Sequence, residues 1–411
     1  MLMRTPPPNP SYELLCKDPY PVLRGIRDYD PLWYCPDWQV WFVTGYDAVA
    51  ATLRTPGLSA TFRVQGLPYR LVGPAVSCIS AVYRIVDALS EMMLFADPPK
   101  HTRLRALVNK AFTPRSVEQM AVAVRQRVEK LFANFQDGQV IEVMDRIANP
   151  LPVQTMIDFL GSRQHDETML SGCSHDLATL LGEYGTIDPA MIDAADQSIL
   201  KMRAYFGEVI KERRARPGAD LISRLIAARA EEQALTDDEI TLMCMVMFGA
   251  GQDTTANHIG NGILALMEYP QECQRLVREP SLLPRAVEEV LRYDGPLQMI
   301  TRYALENVEI GDKAIPRGAT LYVCLAGANR DPLRYPEPNR FSLTRPDDFP
   351  HMGFGWGIHF CVGAFLAKIQ VRTVYQLLLE RYPRSRLAGV PERCPSMAFR
   401  RLDRLPIELR T

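Results

Sequence analysis

Residues 353 to 363 read Gly353-Phe354-Gly355-Trp356-Gly357-Ile358-His359-Phe360-Cys361-Val362-Gly363, and a helix-compatible run starts directly after them at Ala364. Glycine has no Cβ, so it adopts positive φ and lets a backbone lie close to a partner. Three glycines before one cysteine and one after it describe a loop pressed against something flat. The cysteine also precedes a helix, whose N-terminal end favours thiolate over thiol. A thiolate beside a glycine-lined platform is a metal-ligand arrangement, and haem is the flat cofactor that takes a single thiolate.

The chain has nine cysteines. Cys16, Cys35, Cys78, Cys173, Cys244, Cys273, Cys324 and Cys394 lie far apart, without CxxC or Cys/His zinc spacing. Most of the nine read as small buried apolar residues, and Cys361 is the one whose neighbours demand another explanation.

Working outward, helical periodicity dominates. Val117, Ala121, Val124, Val128, Leu131 and Phe135 form one apolar stripe, closed by Asp137-Gly138. The most informative helix starts at the capping box Thr236-Asp237-Asp238-Glu239 and runs to Pro270, a length of about 45 Å. Its middle, Ala250-Gly251-Gln252-Asp253-Thr254-Thr255, is small and polar. Such side chains at the centre of a buried helix are costly unless they line a cavity or bond to something. Short strand patterns occur at Trp38 to Val43, at Val308 to Ile310 with Ala319 to Val323, and at Leu405 to Leu409. The expected fold is mainly α with small β-sheets. It is read as a single domain over 1–411, with β-rich parts near 30–60 and 300–325.

Lys plus Arg number 47 against 48 Asp plus Glu, for a net charge of −1. No global field recommends nucleic acid or an anionic membrane as partner. The longest strongly apolar stretch, around Leu242 to Ala250, is far short of the ~20 residues that span a bilayer. The start, Met1 to Pro10, is proline-rich and polar, so the expectation is a cytoplasmic protein without an anchor.

The loop resembles that of the cytochrome P-450 family, Phe-Gly-x-Gly-x-His-x-Cys-x-Gly, with Phe354, Gly355, Gly357, His359, Cys361 and Gly363 filling every position. Further signatures follow over essentially the whole chain. Ala250, Gly251, Asp253 and Thr254 match the family's oxygen-activating helix. The resemblance makes Asp253 and Thr254 a proton relay, with Cys361 the iron ligand of haem b (iron protoporphyrin IX) held between the long helix and the cysteine-loop helix. Glu289 and Arg292 match the family's Glu-x-x-Arg pair, and Arg340 its further arginine, as a structural network. His101, Arg105, Arg302 and His359 match the partners of the haem propionates. By the same reasoning Met243, Met247, Ala250, Gln298, Met299, Ile300 and Met397 are candidates for the substrate pocket, and the stretch from Tyr69 to Phe95 roofs it. His165, His175, His258 and His351 read as structural.

The resemblance implies a monooxygenase that inserts one oxygen atom from O2 into a small apolar substrate, by hydroxylation or epoxidation, in secondary-metabolite biosynthesis. The motifs use the chain to its end, so electrons are expected from a separate ferredoxin or flavodoxin with its reductase. Arg103, Lys110, Lys368 and Arg372 are candidate contacts for it. A monomer is expected. The competing readings are the same fold with peroxide-driven or coupling chemistry, and a catalytically silent haem protein that recruits or senses. Retention of Asp253-Thr254 argues for O2 as the oxidant.

Overall fold

Side-chain caps and prolines set where the helices begin. Asp18 accepts the Tyr20 N–H at 3.3 Å ahead of Pro19–Tyr29. Asp188 does the same for Ala190 at 2.9 Å ahead of Pro189–Ala215, and Asp220 for Ser223 at 2.8 Å ahead of Leu221–Ala227. Each bond satisfies an N–H that the first helical turn leaves without an acceptor, and proline fits there because it has no N–H to lose. The capping box is reciprocal: Thr236 N–H donates to Glu239 at 2.9 Å and Glu239 N–H to Thr236 Oγ1 at 3.2 Å. The long helix runs Asp237–Glu268, and Pro270 opens the next one, Pro270–Arg278.

The computed structural model describes residues 10–61, 79–111, 114–182, 187–228, 234–346 and 350–411. The described chain falls into two compact units. One comprises Ser59–Ala123 and Pro150–Asp253 and is built from helices, including Ile79–Glu91, Lys100–Ala111, Glu167–Gly182 and Pro189–Ala215. Arg84 forks onto the buried Asp196, with Nε at 2.9 Å, tying the first of these helices to the last. Of the expected roof from Tyr69 to Phe95, residues 69–78 lie outside the described residues, and Ile79–Glu91 is helix.

The other unit comprises Met1–Leu58, Val124–Asn149 and Thr254–Thr411. Its main sheet joins segments almost three hundred residues apart. Val40–Val43 pairs antiparallel with Leu32–Cys35 and parallel with Thr320–Val323, which pairs antiparallel with Ile300–Ala304. Val43, Leu321, Val323 and Leu325 are fully buried in the cluster on this sheet. The β-rich segments expected near 30–60 and 300–325 thus meet. The strand patterns expected at Val308 to Ile310 and Ala319 to Val323 form as Val308–Ile310, which turns back at Gly311 to pair with Lys313–Ile315, and as Thr320–Val323. Pro406–Glu408 pairs with Val140–Glu142 and Arg386–Leu387. In the stripe ending at Phe135, Val124, Val128 and Phe135 are buried, but Phe132 takes the inward place expected for Leu131. Phe132 lies four residues after Val128, and that spacing keeps it on the same helical face.

No helix among the described residues is long and apolar enough to cross a membrane.

Candidate active site

The cysteine loop is held from behind by a buried ion pair. In the helix Leu283–Asp294, Glu289 and Arg292 are 6% and 3% exposed, and the guanidinium forks onto the carboxylate at 2.7 and 2.8 Å. Arg292 also donates to the carbonyls of Asn329 at 3.0 Å, Pro338 at 2.8 Å and Arg340 at 3.0 Å. The further arginine is Arg345, not Arg340. Arg345 Nε lies 3.0 Å from Glu289, and its remaining nitrogens bond the carbonyls of Pro336, Glu337 and Arg340. The Arg340 side chain is exposed on Glu337 at 3.2 Å, and only its carbonyl enters the network. Sequence spacing could not separate two arginines five residues apart in a segment without regular structure.

From this brace the bonds lead to the sulfur. Asn329 Oδ1 accepts the Met352 N–H at 2.6 Å, and the Met352 carbonyl accepts the Gly355 N–H at 2.8 Å. The Phe354 carbonyl accepts the Cys361 N–H at 3.0 Å. Gly355 and Gly357 have φ of +72° and +71°, a conformation that disfavours any residue with a Cβ. At Gly357 a Cβ would also lie 2.7 Å from the Leu53 carbonyl. Cys361 follows this turn, two residues before Gly363, the N-cap of Ala364–Arg381.

Cys361 is partly exposed, whereas Cys16, Cys35, Cys173, Cys244, Cys273 and Cys324 are buried. Burial pushes the Cys273 thiol up to about 11 and those of Cys244 and Cys324 higher still, keeping them as inert thiols. Cys78 lies outside the described residues. A Cβ built at Gly363 would meet only the Cys361 sulfur at 4.0 Å, and one at Gly355 only the His359 carbonyl at 3.8 Å. The loop therefore presents bare backbone on both sides of the sulfur, which fits a flat group approaching a single thiolate. The residues present fit haem.

Beside the loop, Glu288 accepts from His351 Nε2 at 2.7 Å and pairs with Lys368 at 2.6 Å. Burial alone would raise this carboxyl, but the two partners outweigh it and hold it at about 2. His351 Nδ1 accepts the Gly353 N–H at 3.0 Å, a structural role at the start of the loop. Lys368, considered as a docking contact, is engaged here, and Arg103 is engaged with Glu239. Lys110 and Arg372 are exposed.

In the long helix, Ala250 is exposed and Gly251, Asp253 and Thr254 are partly so, while Gln252 and Thr255 are buried. The polar centre thus has an accessible face, on which residues three and four apart stand together. Gln252 points away from it, donating to Ser171 at 2.7 Å.

The remaining candidates are spread over both units. His101 is 3% exposed and Arg105 half-buried, one turn apart on Lys100–Ala111. Burial, and then the Arg105 charge, lower the His101 pKa, which favours neutral imidazole. Arg302 projects from Ile300–Ala304 and His359 ends the short turn Gly357–His359; both are half-buried. Met243 and Met247 are buried. Two candidate pocket segments meet within one unit: Gln298 N–H donates to the Ala398 carbonyl at 2.7 Å, and Leu297 bridges Phe399. Met299 and Met397 are 5% and 3% exposed, and Ile300 is half-buried. The Gln298 amide is turned away to the Gly295 carbonyl at 2.6 Å and Tyr20 at 3.4 Å.

The family model described as Cytochrome P450 matches residues 79–396. The chain belongs to the cytochrome P450 family. It is an enzyme of the P450 monooxygenase class, a family whose cofactor is haem iron and whose members use O2, an organic substrate and redox partners. It is 35% identical over 394 residues to 6-deoxyerythronolide B hydroxylase of Saccharopolyspora erythraea, covering 95% of each chain. It is 33% identical over 402 residues to vitamin D(3) 25-hydroxylase of Pseudonocardia autotrophica, covering 96% of this chain and 94% of that one. The solved structure of P450BioI in complex with hexadec-9Z-enoic acid ligated acyl carrier protein matches with a TM-score of 0.88 at 30% identity, over 97% of this chain and 99% of that one.

Proposed function

We propose that the protein binds haem b through the Cys361 thiolate and hydroxylates a small apolar organic molecule in secondary metabolism, with electrons from a separate ferredoxin or flavodoxin. The observation that carries the reading is the partly exposed Cys361, between glycines that leave the backbone bare, in a chain whose other described cysteines, Cys394 apart, are buried. When bound, the haem supplies O2 activation, which a thiolate ligand promotes. Cys361 is kept in place by its N–H bond to Phe354 and by the brace behind it. The Asp253 carboxylate and Thr254 hydroxyl take up and pass on protons from the accessible face of the long helix. Arg302 and His359 offer cationic or N–H donors to the haem propionates, and His101 and Arg105 are proposed for the same task. The names of both relatives, each a hydroxylase, support hydroxylation as the reaction.

The reduced protein under carbon monoxide should give the red-shifted absorption band of a thiolate ligand, and Cys361→His should abolish it while retaining haem. A wild-type carbonyl band without the shift would overturn the assignment. Substrate-dependent NADH consumption with a surrogate ferredoxin chain should accompany product, whereas a silent haem protein would form none.

A further inference from the structure

The two segments that the family resemblance makes candidates for the substrate pocket, Gln298–Ile300 and the turn carrying Met397, share one buried anchor. Asp294, at the end of Leu283–Asp294, is 8% exposed and accepts the Tyr20 hydroxyl at 2.7 Å, Arg393 at 2.7 Å and Arg400 Nε at 3.2 Å. Arg393 and Arg400 flank Cys394 to Phe399, the turn that carries Met397. One carboxylate therefore grips both ends of this turn. On its other side, Asp294 leads directly into Gly295 to Met299.

Secondary bonds hold both loops to the same point. Asn261 of the long helix donates to the Asp294 carbonyl and to the Arg400 carbonyl, both at 3.0 Å, and accepts from Arg393 at 3.0 Å. Arg400 N–H donates to the Pro296 carbonyl at 2.8 Å. The Gln298 amide reaches the same Tyr20 hydroxyl at 3.4 Å, and Arg330 lies over the Tyr20 ring at 3.7 Å. Burial would raise the Asp294 pKa, but Arg393 and Arg400 outweigh it and hold the carboxylate ionised. A buried ion gripped by two arginines has few alternative geometries, because moving either arginine away leaves charge uncompensated.

We propose that Asp294 is a positioning residue for substrate selectivity: through Arg393, Arg400 and Tyr20 it fixes the Met397 turn against the Gln298–Ile300 segment. Asp294 touches no substrate itself. The proposal rests on the reading that Met397 and Met299 face the substrate.

The test uses the haem-loaded enzyme and two nitrogen ligands of haem followed by absorption. Imidazole reports access to the iron, and 4-phenylimidazole adds a ring that must fit between the surrounding walls. Asp294→Asn should weaken 4-phenylimidazole about tenfold while leaving imidazole affinity and the thiolate-type carbonyl band unchanged. Met397→Ala should also move 4-phenylimidazole selectively. If Met397→Ala acts and Asp294→Asn does not, positioning by Asp294 is refuted and the pocket reading stands. If neither acts, the pocket reading fails and the proposal falls with it. If Asp294→Asn weakens both ligands equally or loses the carbonyl band, Asp294 supports the fold at large and the proposal is overturned. Should that variant not fold, Tyr20→Phe, which removes one bond to the same carboxylate, should raise the 4-phenylimidazole Kd about threefold. An unchanged value would overturn the proposal.

Discussion

The assignment of Arg345 to the buried network separates two arginines five residues apart. Arg345 is 14% exposed and gives Glu289 one bond and three backbone carbonyls three more. Hydrogen bonds from a charged group contribute about 1.5–3 kcal/mol each when isolated. Those in one network are not additive, and Glu289 keeps its fork from Arg292 and the Ser342 N–H at 2.9 Å. Arg345→Met should therefore cost about 3–5 kcal/mol, as expected for breaking a buried pair. Arg340→Met removes a 58%-exposed guanidinium from a 73%-exposed Glu337, worth about 1 kcal/mol or less. Urea unfolding followed by circular dichroism measures both, and the fraction of protein showing the thiolate-type carbonyl band reports the loop downstream. Arg345→Met should lower both readouts and Arg340→Met neither. Equal losses for the two variants would refute the assignment, as would a stable Arg345→Met with its band intact.

Three further outcomes follow from the same geometry. Burial lowers the His258 pKa from the usual histidine value of about 6.5 to about 3, and its Nε2 lies 3.1 Å from the Val287 carbonyl. The unfolded chain takes up a proton below about pH 6.5 that the folded protein refuses, so His258 contributes a loss of about 1.4 kcal/mol per pH unit between those values; urea unfolding at pH 7 and 5.5 should show a shallower slope for His258→Gln, and an unchanged slope would count against it. A Cβ at Gly262 would lie 1.6 Å from the Tyr375 hydroxyl, which is fully buried and donates to the His258 carbonyl at 2.8 Å; Gly262→Ala should destabilise by about 3 kcal/mol, and a stability within error of wild type would show that the helices part easily. Thr254→Ala should divert reducing equivalents to hydrogen peroxide and lower product per NADH about tenfold or more; unchanged coupling would remove Thr254 from the relay.

The local chemistry of this chain was legible residue by residue. The capping box at Thr236 and the stop at Pro270 bounded the long helix, because both act within one turn. The Cys361 loop was legible because positive φ at Gly355 and Gly357 is a requirement on single residues. Arg345 was missed because its role depends on how a meander without helical or strand period folds back on Glu289. His351 was read as structural, but its partner Glu288, 63 residues away, could not be named from the sequence.

By itself the sequence determined the glycine-rich Cys361 loop, the polar centre of the long helix and the paired Glu289 and Arg292, for each is encoded by spacing within a few residues. Only the tertiary structure decided which distant arginine completes the network, that the Gln298 amide bonds Gly295 and reaches Tyr20, and that Asp294 gathers Arg393 and Arg400. The physical reason is range. Helical period and glycine conformation act along the chain, whereas a buried charge takes whichever opposite charge the packing brings within about 3 Å, and no sequence period records that distance.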